Sequence, residues 1–510
     1  MKRTILQSAI LIMIVTLLGR AMGLVRTIFI SKEFGTTLEA SAYLLAFSIP
    51  NLLFLFLPGA LNAVFVPPLK RLINHGKIAE AKALFQKMVT ITTIAYILIG
   101  ILIWVFAKEI IFLIAANSSL ELKLLATELL KIMIPSAFFI AMLSLFSSTL
   151  NVHYYFVLPT LGPIINSAIV IISIYTLVPI FGLYGLAYGT TLGFAGAAFM
   201  LLPAIYKEKY SLKPNWQWND PEVYKIGERI LPIMFGTAVS SLNEFIEKFL
   251  VSDLGDDKIA ALGYARQIYQ LPIAIFFGSI AIPLFIVLLD HLKNNELQSA
   301  KGTIEKGLLY MLVLMLPTTV GIWFIGDKII MALFQRGSFD FTSTQITTSA
   351  LIFFALALYP LTVKDIFVRA FYALENTFTP VLIGFVQIAI YIVAAVLLIP
   401  IMGFSGAAFG WAIGGVFSTL ILGFLLWRKI GNFISKLFIQ SSIKVLLSSL
   451  AMGIGLYGFN LISTTWSVYL QVLIAIILAV VIYGGMLILL KEPIAIALVQ
   501  KTKRKVFRRA

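Results

Sequence analysis

The chain has 510 residues, 60% of them hydrophobic and only 12% charged, with a mean hydropathy of +0.98. Such a composition excludes a soluble domain of this size and points to an all-α polytopic membrane protein, because span-length apolar runs recur along its whole length. Cysteine is absent, which excludes disulfides and thiolate chemistry, and the formal net charge of +16 lies in short loops and a basic tail, a topology signal and an attraction to anionic lipid rather than a nucleic-acid surface.

The first apolar run, about Ile5 to Ile30, is too long for a signal peptide, carries charges inside it and lacks a small-residue cleavage site, so it reads as a retained first span. It contains Leu17-Leu18-Gly19-Arg20-Ala21-Met22-Gly23-Leu24-Val25-Arg26. A guanidinium stays charged, and an arginine at a helix centre costs about 2.5–3.5 kcal/mol on the mild insertion scale. Two of them, with no acidic residue at helical spacing on their own segment, point either to a wet cationic cavity awaiting an anion or to a buried ion pair with Glu244 and Glu247. On a straight helix the two would point about 120° apart; a kink or unwinding at Gly19 and Gly23 would bring them together.

Further spans follow, making about fourteen by the length criterion for crossing a bilayer, near 8–31, 41–67, 85–107, 127–150, 157–178, 184–206, 230–252, 261–289, 304–325, 346–372, 378–401, 406–427, 437–461 and 468–490. Lysines and arginines concentrate in alternate loops, including Lys70, Arg71, Lys77, Lys82, Lys207, Lys209, Lys213, Lys225 and Arg229, while the intervening loops hold few. This positive-inside bias and the even count place both termini in the cytoplasm. The segment Val178-Pro179-Ile180-Phe181-Gly182-Leu183-Tyr184-Gly185 reappears as Ile399-Pro400-Ile401-Met402-Gly403-Phe404-Ser405-Gly406, and Pro159 pairs with Pro380 at the same offset. The offset covers six helices, so the copies are parallel repeats with a site expected between them near the midplane. The organisation that results is an N-terminal six-helix lobe at 1–206, a cytoplasmic linker at 207–229, a C-terminal six-helix lobe at 230–428, two additional helices at 429–491 and a basic cytoplasmic tail at 492–510. Trp216 and Trp218 in the linker read as interfacial anchors.

Intramembrane charges mark candidate sites. Glu128 with Lys131, and Asp365 with Arg369, sit at pairing distance along a helix. Arg266 and Gln270 lie one turn apart in span eight and can share a face; arginine suits bidentate phosphate recognition, and Arg20, Arg26 and Arg266 together would match a diphosphate. Asn243, Glu244 and Glu247 are candidate ligands for a monovalent cation, Na+ or H+, with neutralisation of Lys248 as the alternative for the two carboxylates. No GxxxxGK[ST] loop is present, His75, His153 and His291 are scattered, and neither a metal centre nor a nucleophile–base pair stands out, which argues for a transporter without cofactor rather than an enzyme.

Gly19-Arg20-x-x-Gly23-x-x-Arg26, Phe34-Gly35, Ala46-Phe47-x-x-Pro50-Asn51-Leu52-Leu53, Gly59-Ala60, Ala63-x-Phe65-Val66-Pro67, Tyr264-Ala265-Arg266 with Pro272, and Leu333-Phe334-Gln335-Arg336-Gly337-x-Phe339 together resemble the MurJ (MviN) family of lipid II flippases, in the multidrug/oligosaccharidyl-lipid/polysaccharide exporter superfamily. The resemblance runs over essentially the whole chain. It implies export of lipid II, the undecaprenyl-diphosphate-linked peptidoglycan precursor, from the inner to the outer leaflet of the bacterial plasma membrane for cell-wall biogenesis. It also implies alternating access around a cationic cavity containing Arg20, Arg26 and Arg266, a polyprenyl-tail groove on the last two helices, coupling to a monovalent cation or the membrane potential, and membrane lipids and cell-wall synthesis machinery as partners. Two positions depart from the pattern: Ser41 stands where some members carry an acid, and Phe54 where some carry an arginine. They keep open the export of a different polyprenyl-linked glycan; a cation-coupled drug antiporter is a further alternative, which the arginines oppose.

Overall fold

The computed structural model describes residues 5–217 and 220–496, with the backbone alone at 5–10, 53–58, 231–242 and 282. Trp218, the basic run Lys501–Arg509 and the side chain of Phe54 therefore lie outside the described residues. Among these residues the secondary structure is helical throughout, with no strand. Contacts divide the chain into two compact units, Met1–Ala260 and Ala261–Ala510.

The first unit holds α1 (Ile5–Phe34), α2 (Leu38–Val64), α3 (Val66–Asn74), α4 (Ile78–Val105), α5 (Ala107–Ile114), α6 (Leu120–Met133), α7 (Pro135–Val152), α8 (Val157–Thr160), α9 (Gly162–Thr176), α10 (Val178–Phe181), α11 (Leu183–Phe199), α12 (Leu202–Lys207) and α13 (Pro221–Val251). Sequence punctuation explains the breaks. Pro135, Pro163, Pro179 and Pro203 sit at the first positions of their helices, where a missing N–H is harmless. Thr37 caps α2 and Ser119 caps α6, their hydroxyls accepting from Ala40 N and Leu122 N. Asp220 caps α13 and also accepts from Lys87 Nζ at 2.9 Å, which ties the linker to α4. Helix α13 packs on α2, α4 and α5 within this unit.

The second unit follows with α14 (Asp257–Pro272), which begins at the end of the first, a π-helical turn at Ile273–Phe277, α15 (Gly278–Lys293), α16 (Leu297–Phe334), α17 (Phe341–Leu356), α18 (Leu358–Ala373), α19 (Phe378–Met402), α20 (Phe404–Ile430), α21 (Lys436–Ile462) and α22 (Val468–Leu489). The π turn directly follows Pro272, whose ring and missing N–H disfavour an ordinary α-helical ladder. Helices α21 and α22 pack on each other and on α16, with Met452, Leu456 and Ala475 in their core. Tyr483 donates to Val313 O at 2.7 Å and Asn460 Nδ2 to Phe324 O at 2.7 Å, fixing the two helices to α16.

Eleven helices of the described chain are long and apolar enough to cross a membrane, and twelve if α17 and α18, bent by 43°, form one span. The expected count of about fourteen is therefore not reached on this criterion. Helices α2 and α13, with 27 and 31 residues, occupy two further predicted positions but are not among those eleven; both include residues described by backbone alone. The internal repeat has a local counterpart in backbone geometry. Gly182 joins α10 to α11 with φ 55°, ψ −139°, and Gly403 joins α19 to α20 with φ 58°, ψ −138°. Both are left-handed conformations that glycine adopts readily, which explains why the repeated segment keeps glycine at this point.

Candidate functional site

Helix α1 is unbroken through Gly19 and Gly23, so the unwinding considered from the sequence does not occur there. Positions 19, 23 and 26 lie at i, i+4 and i+7 on one face. That face, together with Phe47, Asn51, Leu143, Gly162, Pro163, Asn166, Ser167 and Phe194, lines a cavity of about 140 Å³ in the first unit. The glycines give that face no side chains, and Arg26 supplies its charge. Arg20, off this face, is exposed. Of the two arginines, Arg26 lines this cavity and Arg20 is not among its lining residues.

Arg26 is held from two sides. Its Nη1 donates to Asn166 Oδ1 on α9 at 3.0 Å, and its guanidinium lies 5.6 Å from the centroid of the Phe47 ring on α2. Neither contact neutralises the charge; the ring attracts it by its quadrupole and the amide by its dipole. Phe47 is itself stacked on Tyr43, whose hydroxyl is paired with Thr190 Oγ1 at 2.9 Å. Arg26 Nε and Asn166 Nδ2 are buried without a hydrogen-bond partner. Two unmet donors at a cationic cavity are what an anionic oxygen would satisfy.

In the second unit Arg266 is half-buried, its guanidinium 5.5 Å from the Trp411 ring and 6.0 Å from the Phe354 ring. Gln270, one turn on, is exposed. Two residues before Arg266, the Tyr264 ring meets Phe334 at 5.5 Å and Phe339 at 5.7 Å, while Phe334 and Phe339 meet each other at 5.6 Å. The two sequence signatures around 264–266 and 333–339 therefore meet in one aromatic corner.

On α13, Asn243 and Glu247 are buried, Glu247 to 1% exposure, and Glu244 is half-buried. Glu244 Oε1 pairs with Lys248 Nζ at 3.1 Å, and the same ammonium donates to Leu44 O at 3.3 Å. The neutralising role weighed for Glu244 is thus present in the geometry. Members of the other same-helix pairs also make contacts on other helices. Glu128 accepts the Tyr184 hydroxyl, while Lys131 lies 4.9 Å from the centroid of the Trp104 ring. Arg369 turns to the rings of Phe277 and Phe285, and Lys364 donates to Gln387 Oε1 at 2.5 Å. Ser41, the departure from the family pattern, is fully buried and accepts from Ala260 N at 3.0 Å, so it serves a backbone joint. Among the described residues no group of His, Asp and Glu is arranged to hold a metal ion.

Sequence reasoning did not single out Asn166, Trp411 or Phe354, and it met Phe47 only within a family signature. The amide of Asn166 in the fifth apolar run was the available signal, since a polar side chain there needs a partner.

The family model described as "Lipid II flippase MurJ" matches residues 30–477. The chain belongs to the MurJ family. Its relatives include a probable lipid II flippase MurJ of Haemophilus influenzae, 27% identical and covering 93% of this chain and 98% of the relative. Another, of Rickettsia prowazekii, is 30% identical and covers 88% of each chain. A solved structure of a lipid II flippase MurJ in an inward closed conformation superposes with a TM-score of 0.79 at 25% identity, covering 95% of this chain and all of the other. An inward-facing multidrug resistance MATE transporter shares the fold at a TM-score of 0.66 and 17% identity, covering 81% and 95%. The cavity of α1, α2 and α9 that Arg26 lines thus lies in a chain of the MurJ family.

Proposed function

We propose that this chain exports lipid II from the inner to the outer leaflet of the bacterial plasma membrane by alternating access, with no covalent chemistry. The observation that carries the reading is Arg26, a permanent cation at a cavity, steadied by an amide and an aromatic ring and left with a buried unpaired Nε. A carboxylate partner would cancel its charge; an amide leaves that charge for the ligand. Drawing a diphosphate through hydrocarbon is prohibitive, whereas a protein cavity with fixed guanidinium groups replaces its hydration while the polyprenyl tail stays in lipid.

In this reading Arg26 and Arg266 hold the phosphates, Arg20 guides the headgroup at the entrance, and Gln270 contributes a neutral hydrogen bond. Both termini are cytoplasmic. The apolar outer faces of α21 and α22, with Ile454, Val480 and Val481 exposed, take the tail. Asn243, Glu244 and Glu247 serve the driving cation, Na+ or H+, through the Glu244–Lys248 pair, which an incoming cation would loosen. Cell-wall synthesis machinery receives the product.

The deciding experiment is translocation of fluorescent lipid II across proteoliposomes, with rescue of cells depleted of their own flippase as its cellular counterpart. Transport of intact lipid II by the parent chain, and its loss in Arg26→Ala with normal insertion, is the expected result. Failure of both assays with good expression, or recovery of a chemically altered lipid, overturns it.

A further inference from the structure

A second cationic cavity lies in the first unit, apart from Arg26. Glu222, Lys225, Ile226 and Arg229 fall at i, i+3, i+4 and i+7 of α13 and so share one face of its first turns. Facing them, α3 begins with Pro67 and Pro68 near its start and carries Arg71. These residues, with Val64 at the end of α2, line a cavity of about 320 Å³. Its floor is apolar, from prolines and branched aliphatic side chains. Its rim has three cations and one carboxylate, an excess of two positive charges.

The carboxylate sits between the cations. Arg71 Nη2 is 2.7 Å from Glu222 Oε2, and Lys225 Nζ is 3.8 Å from Glu222 Oε1. Arg71 and Lys225 side chains are 57% and 60% exposed, so solvent screens the pairs and they yield readily to a better anion. A phosphate offers more acceptor oxygens than a carboxylate and matches the arginine fork. The apolar floor, continuous with the end of a span-length helix, suits a ligand whose phosphate is joined to a hydrocarbon body, and a free ion would leave it uncovered.

We propose that this cavity binds the phosphate of an anionic membrane phospholipid, with Arg71, Lys225 and Arg229 on its oxygens and the glycerol end on Pro67 and Pro68. Glu222 is the internal stand-in that the phosphate displaces. The site shares no residue with the Arg26 cavity, so it stands or falls apart from the export reading.

The test uses the full-length chain in detergent, with dioctanoyl phosphatidylglycerol as probe and dioctanoyl phosphatidylcholine and inorganic phosphate as controls, and adducts counted by native mass spectrometry. Expected are selective binding of phosphatidylglycerol, a loss of about tenfold or more in Arg71→Gln/Arg229→Gln, retention in Arg71→Lys/Arg229→Lys, and tighter binding in Glu222→Gln. Equal binding of phosphatidylcholine, or unchanged binding in the Gln double variant, overturns the proposal. Inorganic phosphate binding as well as the lipid does so too, by making the site one for a free ion. Lipid II transport by Arg26→Ala, measured separately, reports on the export reading alone.

Discussion

The first and second units treat the same repeat position in different ways. Asn166 on α9 and Gln387 on α19 are separated by the offset of the repeat, the one that relates Pro159 to Pro380, and each amide oxygen accepts a hydrogen bond from a cation in an apolar segment. The cations come from different places. In the first unit it is Arg26 of α1; in the second it is Lys364 of α18, at the position where the first repeat has the cavity-lining Leu143. Gln387 Oε1 also accepts from Ser418 Oγ at 3.2 Å, and Ser418 replaces Ala197 of the first repeat. Gln387 is 2% exposed and Ser418 fully buried, whereas Asn166 keeps an unpaired amide nitrogen beside a cavity. One copy of the motif is a closed packing network and the other retains unused hydrogen-bonding capacity. The duplicated scaffold thus supplies an amide twice, and the neighbouring residues decide whether it serves stability or a ligand.

This contrast is open to direct challenge. The largest effect is expected for Arg26→Ala, which should lower lipid II transport by about 10–100-fold, the loss of a charge-assisted contact to a phosphate, with little change in Tm; transport within twofold of the parent (about 0.4 kcal/mol) would remove Arg26 from the site. Gln387→Leu should act the opposite way. It strands the Lys364 ammonium and should lower stability by about 1–2 kcal/mol, read as a fall in Tm in detergent, and transport per folded molecule should hold. An Asn166→Leu variant that lost stability as much as Gln387→Leu would erase the distinction between the two units.

A smaller difference concerns the glycines facing the amides. A Cβ at Gly193 would stand 2.7 Å from Asn166 Nδ2 and 2.9 Å from Asn166 O, while one at Gly414 would stand 3.1 Å from Gln387 O and 3.3 Å from Tyr391 Cβ. Gly193→Ala should therefore displace Asn166, destabilise by about 1–3 kcal/mol and reduce transport, with Gly414→Ala milder on both measures. Equal Tm shifts would show that the closer approach at Gly193 is relieved without loss.

The smallest effect is expected at the end of α7. His153 follows the helix and is hydrogen-bonded to the Tyr210 hydroxyl at 2.9 Å, with Glu208 Oε2 3.4 Å from its Nδ1. Burial pushes its pKa below the ordinary histidine value and outweighs the upward pull of Glu208. The folded state therefore favours the neutral ring: this contribution is fully present above the unfolded value of about 6.5 and is lost as pH falls below it toward the depressed folded value. The Tm should drop slightly more between pH 7.5 and 5.5 in the parent than in His153→Gln; identical pH profiles would dismiss the effect.

Much of the architecture was legible in the residues. Span-length apolar runs with proline and glycine at their ends mark helix positions because hydrocarbon forces the backbone to satisfy its own hydrogen bonds. The combination of motifs from Gly19 to Phe339 pointed to the family, and an arginine in an apolar run marked a candidate site through its desolvation cost. The partners were less legible. Glu128 and Lys131 read as a pair by spacing, yet each found an aromatic neighbour on another helix, since spacing along one helix ranks only local candidates. The same limit hid Asn166, which lies 140 residues from Arg26.

Composition and periodicity thus sufficed for an all-helical membrane protein with a repeated half and a fixed cation in its first span, because these follow from transfer free energies that each residue carries wherever it sits. Packing settled that α1 continues through its glycines, that Arg26 lines a cavity with Asn166 and Phe47, and that Lys364 rather than a ligand takes the second amide. Those outcomes depend on which side chains from distant segments arrive within hydrogen-bonding or ring-contact reach of one another, and a linear string of residues does not encode that proximity locally.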